Sequence, residues 1–162
     1  MLRSRGLGDV YKRQIQEIIK QCYPIQQEEK LQTLKRLRKS FCYMPTLEVV
    51  GQINNNICAH GMLNEAIIGQ KLGLVFSFLE VAPEYQRNGL GTQLVRVLLN
   101  RAQASGYRFI AVQGDPKFFS NFGFIITDPD VIRLPFNEKT PLMIKELVNN
   151  SLLDVTGILN YD

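Results

Sequence analysis

The sequence contains no tryptophan, a single histidine, only three cysteines and no long apolar run. A membrane-spanning helix needs about 18 to 20 consecutive apolar residues, and no stretch of this chain approaches that length. Cys22, Cys42 and Cys58 are too few and too widely spaced for a disulfide framework or a paired metal site. We therefore expect a protein of a reducing compartment, with the cytoplasm as its location, that uses neither a metal nor a membrane.

The length and composition are those of one globular domain. The chain has 162 residues, of which 45% are hydrophobic and 21% charged. Its formal net charge of +4 is concentrated in residues 1–14, and the remaining residues carry 15 basic and 14 acidic groups. So balanced a core lacks the electrostatic footprint of a nucleic-acid binder. We expect no nucleic acid among its partners.

Residues 1–14 form a segment with no apolar period of a helix or a strand. Within it, the string GLGDVYKRQ resembles translated adapter sequence at the starts of environmental gene assemblies. That resemblance implies that the segment is not native and that the true start of the domain has been lost; a genuine basic arm is the alternative. We therefore expect a non-native or disordered leader over residues 1–14 and a single domain over residues 15–162.

Apolar spacing predicts a mixed α/β fold for the rest of the chain. Helices are expected over residues 15–22, 27–41, 91–105 and 115–122, the second burying Leu31, Leu34, Leu37 and Phe41. Strands are expected over residues 47–50, 57–63, 72–81, 109–113, 124–127, 131–134, 142–147 and 157–161. This order predicts a mixed sheet, with antiparallel hairpins at the front and one parallel crossover at its centre.

Residues 86–92, QRNGLGT, follow a predicted strand and open a predicted helix. The start of a helix offers unpaired N–H groups and partial positive charge, and glycines let an anion approach these groups closely. A Walker loop would need a Gly-Lys pair, and a dinucleotide fingerprint would need a third glycine where Leu94 stands. The segment therefore predicts a phosphate site of another kind.

Gln86, Gly89 and Gly91 fit a Q/R-x-x-G-x-G/A pattern, and residues 79–94 resemble the central motif of the GNAT superfamily of acetyl-CoA-dependent N-acetyltransferases. Residues 114–124 are similar to the short helix and Gly-Phe hinge that follow strand five of that family, and their Gly-Asp-Pro opening resembles the YhbS-like branch. The resemblance implies a GNAT-type sheet with a splayed parallel centre. The family's first strand would fall in residues 1–14, so we expect it to be missing and residues 47–50 to form an uncovered sheet edge.

The resemblance also implies which residues hold acetyl-CoA. Backbone N–H groups of the loop would bind the diphosphate, the main chain of strand four would pair with the pantetheine arm, and two aromatic residues would lie against the far end of that arm. The residues so implied are Leu79, Val81, Gln86, Arg87, Asn88, Gly89, Leu90, Gly91, Thr92, Phe118 and Phe119.

The catalytic residues are less defined than the loop. Glu80, acting through water, and Asp115 are weak candidates for the base, although Asp115 is better explained as a helix N-cap. His60 is interpreted as a packing or hydrogen-bonding residue. The tyrosine that the family uses as general acid is replaced by Phe119, which need not abolish turnover, and a water, Tyr43 or Tyr107 could substitute for it.

Two function classes stay open. The first is an N-acetyltransferase that moves an acetyl group to a primary amine of a small molecule or peptide by direct transfer in a ternary complex. The second is an acetyl-CoA-binding sensor or regulatory module without chemistry, which the Phe119 departure favours. We expect the acceptor pocket near residues 22–26 and the C-terminal strands, and the protein to be a monomer or a homodimer.

Overall fold

A computed structural model describes residues 2–4, 8–136 and 138–161 of the chain. Four α-helices and nine β-strands alternate along it, with short 3-10 turns at Pro83–Tyr85 and Ser120–Phe122. The helices are α1 (Asp9–Cys22), α2 (Gln27–Lys39), α3 (Leu90–Ala104) and α4 (Pro116–Phe119). The strands are β1 (Leu2–Ser4), β2 (Tyr43–Ile53), β3 (Asn56–Ile68), β4 (Lys71–Val81), β5 (Phe109–Gln113), β6 (Ile125–Ile126), β7 (Ile132–Arg133), β8 (Leu142–Glu146) and β9 (Gly157–Asn160).

The chain divides into two compact units. The first comprises Met1–Leu63 and Ser77–Arg101, and the second comprises Asn64–Phe76 and Ala102–Asp162. Strands β3 and β4 run through both units, so neither unit is a contiguous piece of chain. The expectation of one domain over residues 15–162 stays a prediction.

The first unit places α1 and α2 against the strands β2, β3 and β4, and the strands β1 to β4 neighbour one another in that order. Helix α1 buries Ile15, Ile18 and Ile19, because residues three and four apart share one face of a helix. They pack with residues of α2 and with side chains that the strands direct to the same face. The shared core includes Leu34, Leu37, Val50, Met62, Phe78 and Ala82.

Residues 1–14 contain regular structure, so the expected disorder of this segment is wrong for its described part. Strand β1 pairs antiparallel with β2, with Leu2 opposite Gly51 and Ser4 opposite Val49, and α1 begins at Asp9. The first strand is therefore not missing, and β1 covers part of the edge expected to be open. A three-residue strand is held by main-chain hydrogen bonds and is too short to show a period in its side chains. The non-native origin of the segment stays a prediction.

Helix α2 ends earlier than its apolar spacing predicts. Leu34 and Leu37 are buried as expected, but Phe41 is fully exposed, with a relative accessibility of 105%. The helix stops at Lys39, and Ser40 takes an extended conformation with ψ 163°, so position 41 no longer lies on the buried helix face. Phe41 is therefore a correction to the predicted core.

The hairpin between β2 and β3 forms as predicted. Asn54 and Asn55 both adopt positive φ angles, 49° and 67°, which asparagine tolerates better than most residues. Both strands extend beyond the predicted segments, to Tyr43–Ile53 and Asn56–Ile68. The asparagines therefore fix the turn, while pairing along the hairpin sets the length of the strands.

The second unit contains the parallel pair that the crossover predicted. Leu74 and Val75 of β4 pair in parallel with Ile110 and Ala111 of β5. On the other side of β5 runs the antiparallel strand β8, which also pairs with β6. Strand β9 pairs with the end of β3 and with β7. The four strands predicted in the C-terminal part are thus present as β6 to β9, each shorter than expected.

None of the helices in the described ranges combines the length and the hydropathy required to cross a bilayer.

A substitution at Gly73 provides a test of the packing in the second unit. A Cβ atom at this position would lie 2.4 to 2.5 Å from the ring of Phe109, a fully buried side chain. We expect Gly73→Ala to lower the free energy of unfolding by about 2 to 3 kcal/mol, because the ring must move within a filled core. Chemical denaturation measures this, and Gly8→Ala, where nothing lies within 4 Å, is the control. Equal stability of the two variants would contradict the packing described.

Candidate functional site

The loop over residues 86–92 lies between the Pro83–Tyr85 turn and the start of α3. Arg87 and Gly89 both adopt left-handed conformations, with φ angles of 70° and 78°. The main-chain bonding of α3 begins with Gln93 N–H, which donates to the Gly89 carbonyl at 3.0 Å. The N–H groups of Leu90, Gly91 and Thr92 precede that bond and lie in the first turn, where an α-helix supplies no acceptor.

This arrangement suits an anion. The side chains of Gln86, Arg87 and Asn88 are exposed, and a Cβ atom at Gly89 would meet nothing within 4 Å. Left-handed residues before a helix turn successive N–H groups toward one side, and the helix dipole adds partial positive charge there. The loop can therefore hold a phosphate group through its main chain, as its sequence predicts.

The end of β4 presents main-chain groups away from β3. Ala82 N–H donates to the Cys58 carbonyl at 2.8 Å, so the polar groups of Leu79 and Val81 point to the opposite edge of the strand, because alternate residues of a strand face the same side. The Val81 carbonyl already accepts from Gln86 Nε2 at 2.9 Å and from Cys22 Sγ at 3.3 Å. Pairing of Val81 with a ligand thus starts from its N–H group.

A chain of buried polar side chains crosses three neighbouring strands of the first unit. Glu48 of β2, His60 of β3 and Glu80 of β4 have relative accessibilities of 1%, 0% and 3%. His60 Nε2 lies 2.8 Å from Glu48 Oε2, and His60 Nδ1 lies 2.8 Å from Glu80 Oε2. Both nitrogens of the imidazole therefore face a carboxylate.

Further side chains bond Glu48 and Glu80, the two ends of this row of buried polar groups. The Arg38 guanidinium donates to Glu48, with Nε 3.1 Å from both carboxylate oxygens, and the Tyr43 hydroxyl donates to Glu48 Oε1 at 2.7 Å. At the other end, the Tyr23 hydroxyl donates to Glu80 Oε1 at 3.4 Å. We call Arg38, Tyr43, Glu48, His60, Glu80 and Tyr23 the polar chain.

The electrostatics of the polar chain favour an ionised centre. Burial by itself opposes charge on His60, but its hydrogen bonds to Glu48 and Glu80 outweigh it and raise the pKa of His60 to about 9. Burial likewise opposes charge on Glu48, and the bonds from His60 and Arg38 overcome it, lowering the pKa of Glu48 to about 2. Burial, together with the neighbouring carboxylates, raises the pKa of Tyr23 and of Tyr43.

The structure places the two predicted base candidates in different surroundings. Glu80 is a member of the polar chain and lies one residue before Val81. Asp115 belongs to the second unit, where its side chain accepts from Lys117 N–H at 3.0 Å and caps α4. Capping of α4 accounts for an aspartate at position 115, and Asp115 is not part of the polar chain.

Phe118 and Phe119 form an aromatic cluster within the second unit. Phe119 is buried, and its ring lies 4.9 Å from that of Phe118 and 5.5 Å from that of Phe124. The ring also lies 2.4 Å from the position that a Cβ atom would take at Gly114, so glycine is required there. Core packing accounts for Phe119, and contact with a ligand stays a prediction.

The two tyrosines considered as substitute acids are both bonded to carboxylates. The Tyr43 hydroxyl donates to Glu48, and the Tyr107 hydroxyl bonds Glu65 in the second unit. Burial and Glu65 raise the pKa of Tyr107 to about 12. Proton donation by either hydroxyl would thus break an existing bond to a carboxylate.

Sequence reasoning assigned no role to Glu48 and interpreted His60 as a packing or hydrogen-bonding residue, and its two hydrogen bonds agree with that interpretation. A signal for both was present, because each of three apolar strand segments contains one buried glutamate or histidine. Buried charges are costly unless they are paired. Three such residues in consecutive strands therefore indicate that they meet.

Among the residues that the structure describes, no group of three His, Cys, Asp or Glu side chains could hold a metal ion.

The polar chain predicts a stability that depends on pH. The pKa of His60 is raised from 6.5 to about 9, so its contribution is complete below pH 6.5 and declines as the pH rises toward 9. We expect the free energy of unfolding to fall by about 2 kcal/mol between pH 6.5 and 8.5. Glu48, with a pKa lowered to about 2, adds a second loss as the pH falls below 4.5.

Urea unfolding at fixed pH values measures this dependence, and His60→Gln is the control, since it lacks the titrating group. A parent protein whose stability is constant from pH 6.5 to 8.5 would contradict the assignment. The window ends at pH 8.5 because unfolded cysteine thiols ionise above it.

Comparison with known proteins finds similar chains in one family. A model of the acetyltransferase (GNAT) family matches residues 12–124. The uncharacterized N-acetyltransferase YhbS of Escherichia coli K12 is 30% identical over 84 residues, which are 51% of this chain and 50% of that protein. The chain thus spans about half the length of the curated relatives it matches.

Solved structures share the fold over the whole chain. The crystal structure of YhbS from Escherichia coli in complex with CoA has a TM-score of 0.86 at 20% identity, covering 100% of this chain and 89% of that one. A GNAT family acetyltransferase from Brucella melitensis in complex with acetyl-CoA has a TM-score of 0.77 at 18% identity, covering 100% and 96%. At these identities the likeness establishes the mixed α/β GNAT fold. Since the family model also covers more than half of its residues, this chain belongs to the GNAT acetyltransferase family.

Proposed function

We propose that this chain is an acetyl-CoA-dependent N-acetyltransferase that acts on a primary amine of a small molecule or peptide by direct transfer in a ternary complex. The observation that carries the proposal is the 86–92 loop, whose left-handed residues precede three helix-start N–H groups. Family membership supports it, as do CoA and acetyl-CoA in two structures of the same fold. Cytoplasmic location and a monomeric or homodimeric state stay predictions.

The residues of the first unit fit acetyl-CoA. The N–H groups from Arg87 through Thr92 would bind its diphosphate, and the exposed Gly89 allows the close approach that this requires. The main chain of Leu79 and Val81, which faces away from β3, would pair with the pantetheine arm. Contact of that arm with Phe118 or Phe119 is a further part of the proposal.

Glu80 is the proposed base. An aliphatic amine with a pKa of about 10.4 is almost wholly protonated at neutral pH, so a group must take its proton before it can attack. Glu80 Oε2 is bonded to His60, and Glu80 Oε1 accepts the long 3.4 Å hydrogen bond from the Tyr23 hydroxyl. The buried Glu80 Oε1 would therefore accept the proton through a water. Bound acetyl-CoA supplies the thioester whose acetyl group is transferred.

A sensor or regulatory module is the second candidate, and Phe119 favours it. A phenylalanine buried among aromatic rings cannot donate the proton that the family's usual tyrosine supplies. Its absence need not stop turnover, because a thiol with a pKa of about 8.5 that leaves as a thiolate at pH 7 forgoes only about 2 kcal/mol. Loss of the acid therefore does not by itself decide between the two candidates.

Two glycines of equal backbone strain test the loop. Gly89 and Gly106 have φ angles of 78° and 80°, and a Cβ atom at either position would meet nothing within 4 Å. We expect micromolar binding of acetyl-CoA by the parent chain, weakened at least about tenfold by Gly89→Leu, because a side chain there blocks the approach of the diphosphate. Gly106→Leu, at the far end of α3, carries the same strain and should leave binding unchanged. Calorimetry measures both, and equal binding by the two variants would refute the loop assignment.

A panel of amines separates the two candidate functions. We expect the parent chain to release CoA thiol in the presence of at least one primary amine, and Glu80→Gln to slow that release by about 100-fold or more while acetyl-CoA still binds. Thiol release is followed with acetyl-CoA at saturation. Binding without turnover on any amine would favour the sensor module instead.

A further inference from the structure

The polar chain holds more charged groups than a single base requires. Arg38 has a side-chain accessibility of 15%, and the three groups beyond it, Glu48, His60 and Glu80, are fully buried. Each buried ion carries a desolvation penalty of several kcal/mol unless neighbouring charges and hydrogen bonds offset it. Along the polar chain, the positive groups Arg38 and His60 alternate with the negative groups Glu48 and Glu80, so their charges cancel. Among the described residues, no buried side-chain nitrogen or oxygen lacks a hydrogen-bond partner.

The hydrogen-bond partners of His60 bear on how many protons its ring carries. A carboxylate only accepts hydrogen bonds, and a neutral imidazole has one N–H group. With carboxylate oxygens of Glu48 and Glu80 2.8 Å from its two nitrogens, a neutral ring would set a lone pair against an oxygen at one end. A ring protonated at both nitrogens donates at both ends. With both carboxyl groups ionised, the geometry therefore requires an imidazolium between them.

The groups around His60 come from every element of this part of the first unit. Glu48 and Tyr43 lie on β2, Glu80 on β4 and Arg38 on α2. At the end of α1, the Tyr23 hydroxyl donates to Glu80, and burial together with the Glu80 charge raises the pKa of the Cys22 thiol. The Phe78 ring centroid lies 5.9 Å from that of the imidazole and contributes no charge.

We propose that His60 is a positioning residue for acetyl transfer: as an imidazolium anchored through Glu48 to Arg38, it fixes Glu80 Oε2 and so holds Glu80 Oε1 on the side of Tyr23, where Glu80 Oε1 takes the acceptor's proton through a water. This inference rests on the proposed function. The acceptor ammonium loses one proton, its nitrogen keeps the electron pair for attack, and Glu80 Oε1 gains the proton. The imidazolium keeps both of its protons throughout.

Anchoring of this kind limits the freedom of the carboxylate. A glutamate has three rotatable side-chain bonds, and a bond to one oxygen from a ring that is itself held at both nitrogens leaves little freedom to the other oxygen. Arg38 of α2 contacts both oxygens of Glu48, so the hydrogen bonds that hold His60 extend from the strands to α2. The hydrogen bonds that run from α2 through β2 and β3 thus restrain the proposed base on β4.

The first test uses the fact that His60 is the only histidine of the chain. Nitrogen-proton correlation spectra of the imidazole in the intact protein at pH 7.5 should show two ring N–H groups, and the two should persist as the pH is raised to about 8.5. A ring with one N–H group at pH 7.5 would mean that a neutral imidazole faces a protonated carboxyl, and would overturn the inference. This measurement does not depend on activity.

The second test is kinetic. We expect His60→Gln to lower kcat at least about tenfold and to leave the KM for acetyl-CoA within about twofold, because Glu80 is no longer held in place while the loop that would bind the cosubstrate is unchanged. Met62→Leu, buried on the same strand and outside the polar chain, is the matched control and should leave both constants unchanged. A His60→Gln protein with a lower melting temperature but parental kcat would show a structural role only.

A milder variant covers the case in which His60→Gln does not fold. Arg38→Gln removes the partly exposed end of the anchor and should lower kcat by a smaller factor, with the KM for acetyl-CoA again within about twofold of the parent. A folded Arg38→Gln protein with the parental kcat would overturn the inference. Failure of the parent chain to acetylate any amine would instead refute the proposed function, whatever the state of the ring.

Discussion

The buried imidazole of His60 between two carboxylates constrains the first unit more than any other single contact. Its two 2.8 Å hydrogen bonds join three neighbouring strands through their side chains, on the face that α1 and α2 cover. Removing one member would leave an unpaired buried charge, which in comparable cases costs about 3 to 5 kcal/mol. The positions of Glu48, His60 and Glu80 in their strands are therefore coupled. A register shift of one residue would turn all of them to the opposite face.

The loop before α3 depends on a different kind of interaction. Its binding groups are main-chain N–H groups, so its chemistry depends on conformation and hardly on side-chain identity. Only Gly89 and Arg87 require the left-handed region, and a glycine tolerates it without strain. The first unit thus combines a loop of main-chain N–H groups with, separately, a carboxylate held by side chains. Under the proposed function, the loop would bind the cosubstrate and the carboxylate would take the acceptor's proton.

The central elements were predictable because their side chains carry the pattern. Helix α3 buries Leu94, Val95, Leu98 and Ala102 at the expected spacing, and the Asn54–Asn55 turn adopts the positive φ angles that its residues favour. Strand β1 was missed, since three residues are too few for any period, and Phe41 was misplaced, since Ser40 leaves the helix before it. Apolar spacing predicts where side chains face within an element. It does not predict where main-chain pairing begins or where a helix stops.

The sequence alone determined the family, the loop and its place at the start of a helix, because a glycine-rich segment between a strand and a helix is local in the chain. It also supplied Glu80 as a candidate base. Tertiary structure decided which groups His60 bonds and that Glu48 is one of them. Glu48 is 12 positions and Glu80 is 20 positions from His60 along the chain, so the three meet only when β2, β3 and β4 lie side by side. Charge pairing across strands is a property of the folded sheet, and no spacing within one strand encodes it.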